Sequence, residues 1–288
     1  MDAPDIMARS MSIPHPTGPS KALWQYHSQS DRHSKVSCWA VLFDLIQTSG
    51  LLRSHIETGK VAFGVHHPMY DFVNDRPKAL DLVVLRPGQE DMSGRVKRRQ
   101  RRSFADLADE WAVDLSPQQR RTLDALPKVI ESPVGAVLVA LEAKACMTAH
   151  SKSQPRFYDE LNSSHQTVHS SSNNALAIGL VTINATTEFI SSKRNPQYDP
   201  AMRTVVSVHK QPKDGEKAMA TVRKLPRRTS TSATGYDGLG VVMLDARNDL
   251  SPVKVHTEPP APTPGDIFNY ESMITRMANE YDSAFARI

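Results

Sequence analysis

The run Val137-Leu138-Val139-Ala140-Leu141-Glu142-Ala143-Lys144-Ala145 constrains this chain more than any other stretch. Its aliphatic residues predict a strand over 136–147, and a run this apolar belongs in the middle of a sheet covered on both faces. Alternate side chains of a strand share a face, so Glu142 and Lys144 project together. An acid and an amine at the end of a buried strand are costly unless a ligand, a metal or a reaction needs them. A second apolar run, over 78–85, carries a single acid, Asp81, and is closed by Pro87-Gly88.

Hydrophobic periodicity places the remaining elements. Trp39, Leu42, Phe43 and Ile46 recur at helical spacing within 37–52, a helix weakened in its last turn by Gly50. Residues 60–66 read as a strand broken by Pro68. Ser103 and Ser116 stand as N-caps before helical stretches, the second with Pro117 at its first position. A polar helix is predicted from Pro155 to His169, followed by strands over 175–185 and 238–245. The order helix, three strands, helix, strand is an α/β pattern, with a central mixed β-sheet flanked by helices. Residues 1–34, rich in Pro, Ser and His, are expected to form an irregular arm. Residues 35–258 then form the core, including a basic helical insertion at about 88–132, and 259–288 a Pro-rich hinge and C-terminal helix.

With 39% hydrophobic and 23% charged residues, a chain of 288 residues suits a soluble globular protein with a sizeable core. No stretch approaches the roughly 18 consecutive apolar residues of a membrane span. No basic segment followed by an apolar one opens the sequence, so a secretory leader is not expected. Cys38 and Cys146 lie in apolar surroundings without CxxC spacing and read as reduced core residues, which points to a cytoplasm-like compartment. The net charge of +4 is modest, but its distribution is uneven. Arg95, Lys97, Arg98, Arg99, Arg101 and Arg102 crowd one segment, and Arg223, Lys224, Arg227 and Arg228 another. Clusters of this kind attract phosphate backbones.

Asp81 within an apolar strand, with Glu142-Ala143-Lys144 at the end of a later long strand, resembles the PD-(D/E)xK nuclease superfamily, which includes many type II restriction endonucleases. The likeness covers mainly residues 35–186. Leu80 stands where that pattern often has Pro, and the sequence separation from Asp81 to Glu142 is longer than a simple hairpin needs. The resemblance implies a restriction-endonuclease-like core with an inserted helical subdomain. It implies Asp81 and Glu142 as Mg²⁺ ligands and Lys144 as the catalytic lysine of an enzyme that hydrolyses double-stranded DNA. Mg²⁺ held by one or two carboxylates, waters and substrate phosphate has the chemistry for that reaction. A sequence-specific type II restriction endonuclease is expected, as a homodimer if both strands of a symmetric site are cut. The alternatives are a repair, phage or recombination nuclease of low specificity, or a non-catalytic DNA-binding protein with the same fold.

Candidate DNA contacts are Arg98, Arg99, Arg101 and Arg102 in the insertion. In the polar segment after the site strand, His150, Lys152 and Arg156 suit phosphates, and Asn162, Ser163 and His165 suit base edges. His165 and His169 stand four residues apart, a zinc-compatible spacing, but without the Glu of an HExxH pattern. Glu57 is a further candidate acid beside the metal. Gly238-Leu239-Gly240 lacks the rest of a dinucleotide fingerprint and no Walker A sequence occurs, so no nucleotide cofactor is expected.

Overall fold

Consecutive aliphatic runs that bury both of their faces build the centre of the molecule. The structure, a computed structural model, describes residues 1–18, 20–71, 75–88, 101–197, 204–230 and 233–288. The chain opens with α1 (Ala3–Ser12), the short strands β1 (His15–Thr17) and β2 (Ala22–Trp24), then α2 (Arg32–Thr48) and α3 (Gly50–Glu57). β3 (Ala62–Asp71) and β4 (Arg76–Pro87) follow, then α4 (Phe104–Glu110), α5 (Pro117–Ala125), β5 (Val134–Cys146), α6 (His150–Ser171) and β6 (Leu176–Asn184). The remainder comprises β7 (Glu188–Ile190), β8 (Val206–Val208), α7 (Lys213–Val222), β9 (Gly238–Asp245), β10 (Lys254–His256) and α8 (Tyr270–Ala284).

Among the described residues a six-stranded sheet runs in the order β10-β9-β6-β5-β4-β3. β3, β4 and β5 are antiparallel neighbours, whereas β5, β6 and β9 are parallel. The expected α/β class with a mixed sheet flanked by helices is therefore present. α2 and α8 pack on one face, and α6 and α7 on the other. Every residue of β6 is buried, as a strand covered on both faces requires. The Gly238-x-Gly240 pair seats α8 on β9. A Cβ at these positions would fall 2.7 Å from Met277 Cγ and 2.8 Å from Met273 Sδ.

Local signals acted where caps were legible. Ser103 with Asp106 and Ser116 with Gln119 form reciprocal capping boxes that start α4 and α5. These helices of the insertion share the core of α2, with the Phe104 ring stacked on Trp39 at 4.6 Å. Residues 89–100 of the insertion, with Arg95, Lys97, Arg98 and Arg99, lie outside the described residues. Among the described residues, no helix is long and apolar enough to cross a membrane.

Three expected element boundaries are corrected. The helix expected over 37–52 is divided at Ser49, whose hydroxyl accepts the Leu52 N–H and starts α3. The strand expected to break at Pro68 continues as β3, because β3 is the sheet edge and, among the described residues, no strand pairs with its outer side at Pro68. α6 starts five residues before Pro155, which sits inside the helix and forgoes only the bond to the exposed Ser151.

Residues 1–34, expected to be an irregular arm, contain α1 and the β1–β2 pair. α1 buries Ala3, Ile6 and Met7, and it is capped from a distance. Asp44 on α2, fully buried, accepts the N–H groups of Asp2 at 2.9 Å and Ala3 at 3.0 Å, and the Tyr270 hydroxyl of α8 at 2.9 Å. One carboxylate thereby joins three helices and satisfies donors that α1 itself cannot. Asp44→Ala strips these donors of their acceptor, with an expected loss of about 3 kcal/mol of stability in urea unfolding. A loss near zero would show that the donors find other partners.

Candidate active site

β4 and β5 place the three candidate residues, and the geometry turns on where their pairing stops. The ladder runs from Pro87 opposite Val134 to Leu82 opposite Leu141 and goes no further. At the next residue the Asp81 carboxylate reaches across the gap, and its Oδ2 accepts the Ala143 N–H at 3.3 Å. Asp81 thus takes over the role of a ladder acceptor while standing beside the Glu142 and Lys144 side chains.

Those two side chains lie on the α6 side of the sheet. Lys144 Nζ is 2.7 Å from Glu142 Oε1 and 3.6 Å from Oε2 of Glu160 on α6. Glu142 is only 5% exposed, and its Oε2 has no hydrogen-bond partner. Gly179 of β6 stands directly across from Glu142. A Cβ on Gly179 would come within 3.0 Å of the Tyr236 ring, so the missing side chain lets that ring cover the strand here. The Tyr236 hydroxyl is anchored by donating to the Leu161 carbonyl at 2.7 Å.

The charges are unevenly matched. Burial, and then the charge of Glu142, pushes the Asp81 carboxyl up to about 7 despite Lys144 and the Ala143 N–H. Burial opposes the Lys144 ammonium, but Glu142 and Asp81 outweigh it and hold its pKa above the ordinary lysine value. Lys144 therefore keeps its proton at neutral pH in this arrangement. Cys38 Sγ lies 4.0 Å from Asp81 Oδ2, and its thiol is raised well above the usual range by burial and by both carboxylates. It is a neutral neighbour and no nucleophile. Burial and the Lys144 charge hold His33 down at about 4.

Comparisons with protein-family models, with curated proteins and with solved structures find no match to this chain.

The expected DNA contacts that fall among the described residues differ in exposure and in partners. Arg101 is exposed. Arg102 is committed to a strut, forked onto Glu131 at 2.8 Å and onto Glu110 at 2.9 and 2.8 Å. Lys152 and Arg156 are exposed on α6, and Arg156 Nε donates to Glu160 Oε1 at 2.7 Å. Asn162 is half-buried, with Oδ1 3.0 Å from His165 Nε2. His165 is corrected as a base-edge contact. It is 1% exposed and packs against the Tyr236 ring at 5.2 Å, because it lies on the sheet-facing side of α6. His169 is also buried, and its Nε2 donates to the Gly235 carbonyl at 2.8 Å. Among the described residues no group of three or more His, Cys, Asp and Glu side chains is arranged to cage a metal, and His165 and His169 turn their Nε2 atoms to Asn162 and Gly235. Glu57 ends α3, where the chain enters β3 opposite the Leu85 end of β4, away from Asp81. In the second basic group Arg228 is buried on Asp237 at 2.6 Å, and Arg223 pairs with Asp266 at 2.9 Å.

Glu160 was not singled out from sequence. Its signal was the Arg156–Glu160 spacing of four residues, which puts both on one helix face. Burial opposes its charge, but Arg156 and Lys144 hold its carboxyl below the usual range.

The raised Asp81 carboxyl has a consequence for stability. The fold favours the protonated acid, so this contribution is complete below about pH 4, where the unfolded chain is protonated too. It is lost as pH rises from about 4 to about 7. Thermal unfolding in EDTA is expected to show stability falling across that window, and Asp81→Asn to flatten the fall. An unchanged slope in the variant would assign the pH dependence to other groups.

Proposed function

We propose that the chain is a Mg²⁺-dependent endonuclease of the PD-(D/E)xK type that hydrolyses double-stranded DNA, most simply a type II restriction endonuclease acting as a homodimer. The observation that carries this reading is the pairing of Asp81 with Glu142-x-Lys144 where β4 and β5 part company. Its setting supports it: α2, the antiparallel strands β3, β4 and β5, then α6 and the parallel strand β6 follow the order expected of that core.

The residues present suit a hard divalent cation. Two carboxylates share one ammonium between them. Glu142 keeps a buried oxygen without a partner, and burial followed by the charge of Glu142 pushes the Asp81 carboxyl up to about 7. Asp81 and Glu142 would hold the ion, and a site of one or two carboxylates completed by water and phosphate is the usual arrangement for Mg²⁺. When bound, Mg²⁺ neutralises phosphate charge and makes a bound water more acidic.

The protein's own groups have distinct tasks. Lys144, held as an ammonium by Glu142, stabilises negative charge that develops on a phosphodiester beside it. Glu160 and Glu142 fix the ammonium from two sides, so its position does not depend on substrate. Tyr236 closes the sheet side of Glu142, and its ring keeps the local dielectric low.

Plasmid DNA with Mg²⁺ tests the reading, with EDTA and Ca²⁺ as controls. Cleavage is expected with Mg²⁺ alone, and Glu142→Ala or Lys144→Ala should lower its rate at least about 100-fold. Discrete fragments mark a restriction enzyme and a smear a nuclease of low specificity. Duplex binding without cleavage in Mg²⁺ or Mn²⁺ would leave a DNA-binding protein and overturn the enzymatic reading.

A further inference from the structure

A second feature lies beside the candidate active site. A cleft of about 640 Å³ opens between the first turn of α6, the β7–β8 pair and the Tyr26 ring. Lys152, Lys193 and Arg194 line it; all three are exposed, and none is ion-paired among the described residues. The acid in the lining is Asp214, whose carboxylate already accepts the Lys210 N–H at 2.8 Å. The turn that presents Lys193 and Arg194 is pinned. Asn195 donates to the carbonyls of Ser191 and Val205 at 3.0 Å and accepts the Val205 N–H at 2.8 Å.

α6 starts at this cleft without a side-chain cap, since Ala149 has nothing to offer. The first N–H groups of a long helix attract anions. An independent sign comes from His150, which lines the cleft and is 3% exposed. Its Nε2 is 3.1 Å from the Asn184 carbonyl, which can only accept, so that nitrogen carries a proton. Its Nδ1 is buried without a partner. A phosphate next to this ring favours the protonated form, in which Nδ1 becomes a donor to an oxyanion.

Side chains connect the cleft to the candidate active site. The Tyr26 ring lies 5.0 Å from His33, which feels the Lys144 charge. Lys152, Arg156 and Glu160 step along one face of α6 from the cleft to Lys144. At a rise of 1.5 Å per residue, Lys152 and Glu160 stand about 12 Å apart. That matches about three to four base-pair steps of 3.4 Å along a duplex axis.

We infer that this cleft is a second phosphate-binding site, which holds the DNA backbone a few nucleotides from the phosphodiester that is cut. The inference rests on the endonuclease reading, and the test separates the two. Binding of a labelled 20-base-pair duplex is followed by fluorescence anisotropy in Ca²⁺ over a range of salt, for the whole chain and for a Lys193→Ala/Arg194→Ala double variant. The variant should bind about tenfold more weakly near 100 mM salt, with a log–log salt slope reduced by about two. Inorganic phosphate should shift the ¹⁵N imidazole resonances of His150 in the parent protein and move them less in the variant. Equal affinity and equal slope would overturn the cleft assignment, even if Mg²⁺-dependent cleavage that needs Glu142 is observed. A His150 response to phosphate with duplex binding insensitive to the double substitution would also overturn it, leaving a site for free phosphate. Weaker duplex binding by the variant, in a protein that never cleaves, would uphold the cleft and sink the nuclease.

Discussion

The candidate site depends on burying Glu142, with Lys144 half-buried beside it, near the end of β5. Taking a carboxylate and an ammonium out of water costs several kcal/mol each, and close contact offsets only part of it. The strand can carry that cost because the residues just before the pair, Val139, Ala140 and Leu141, are aliphatic, buried and paired on both sides, to β4 and to β6. A sequence optimised only for stability would place two more apolar residues there. The cost becomes useful because the β4 ladder stops one residue short of Asp81, so that a second carboxylate enters the same corner. Glu142 spends one oxygen on Lys144, Asp81 leans on a backbone amide, and positive charge remains in deficit.

α6 explains why a helix packed on a sheet can be so polar. Phe157, Leu161 and Val168 supply its apolar contact, while two of its buried hydroxyls are satisfied locally. Ser164 donates to the Glu160 carbonyl at 2.8 Å and Thr167 to the Ser163 carbonyl at 2.9 Å, both one turn back. Burial lowers the His165 pKa to about 4, so the ring is neutral and adds no charge beneath the helix. The outward face is then available for charge, and it carries Lys152, Arg156 and Glu160 in succession. Glu160 turns that stripe into part of the site by reaching Lys144, and Arg156 holds Glu160 in place.

The parts of this architecture written in local pattern could be read from sequence. β5, β6 and β9 were legible because burial on both faces leaves an uninterrupted aliphatic run. α4 and α5 were legible because their caps lie within three residues of the helix start. Asp81, Glu142 and Lys144 stood out because charge in such a run needs a reason. What was not legible came from distant partners. α1 looked irregular because its cap, Asp44, comes from another helix. β3 passes Pro68 because it ended up at an edge, which the run itself does not declare. Arg102, Arg223 and Arg228 looked like a phosphate-seeking surface, yet each found a carboxylate that the folded chain brought to it. His165 looked exposed because its neighbours are polar, although it follows Phe157 and Leu161 by eight and four residues and so shares their buried face.

The ligand count of the site constrains how it would work on the proposed reading. Two carboxylates leave most of an octahedral coordination shell to water and to phosphate oxygens. Cation occupancy and DNA binding are then coupled, because each supplies what the other lacks: the ion tempers repulsion between phosphate and the two acids, and the phosphate completes the shell. Lys144 is already charged and already clamped, so it cannot be the element that waits for substrate. The part that must be brought into register is the DNA backbone itself. A grip about 12 Å away along α6 is the distance over which the rigid spacing of successive phosphates would carry that register to the cutting point.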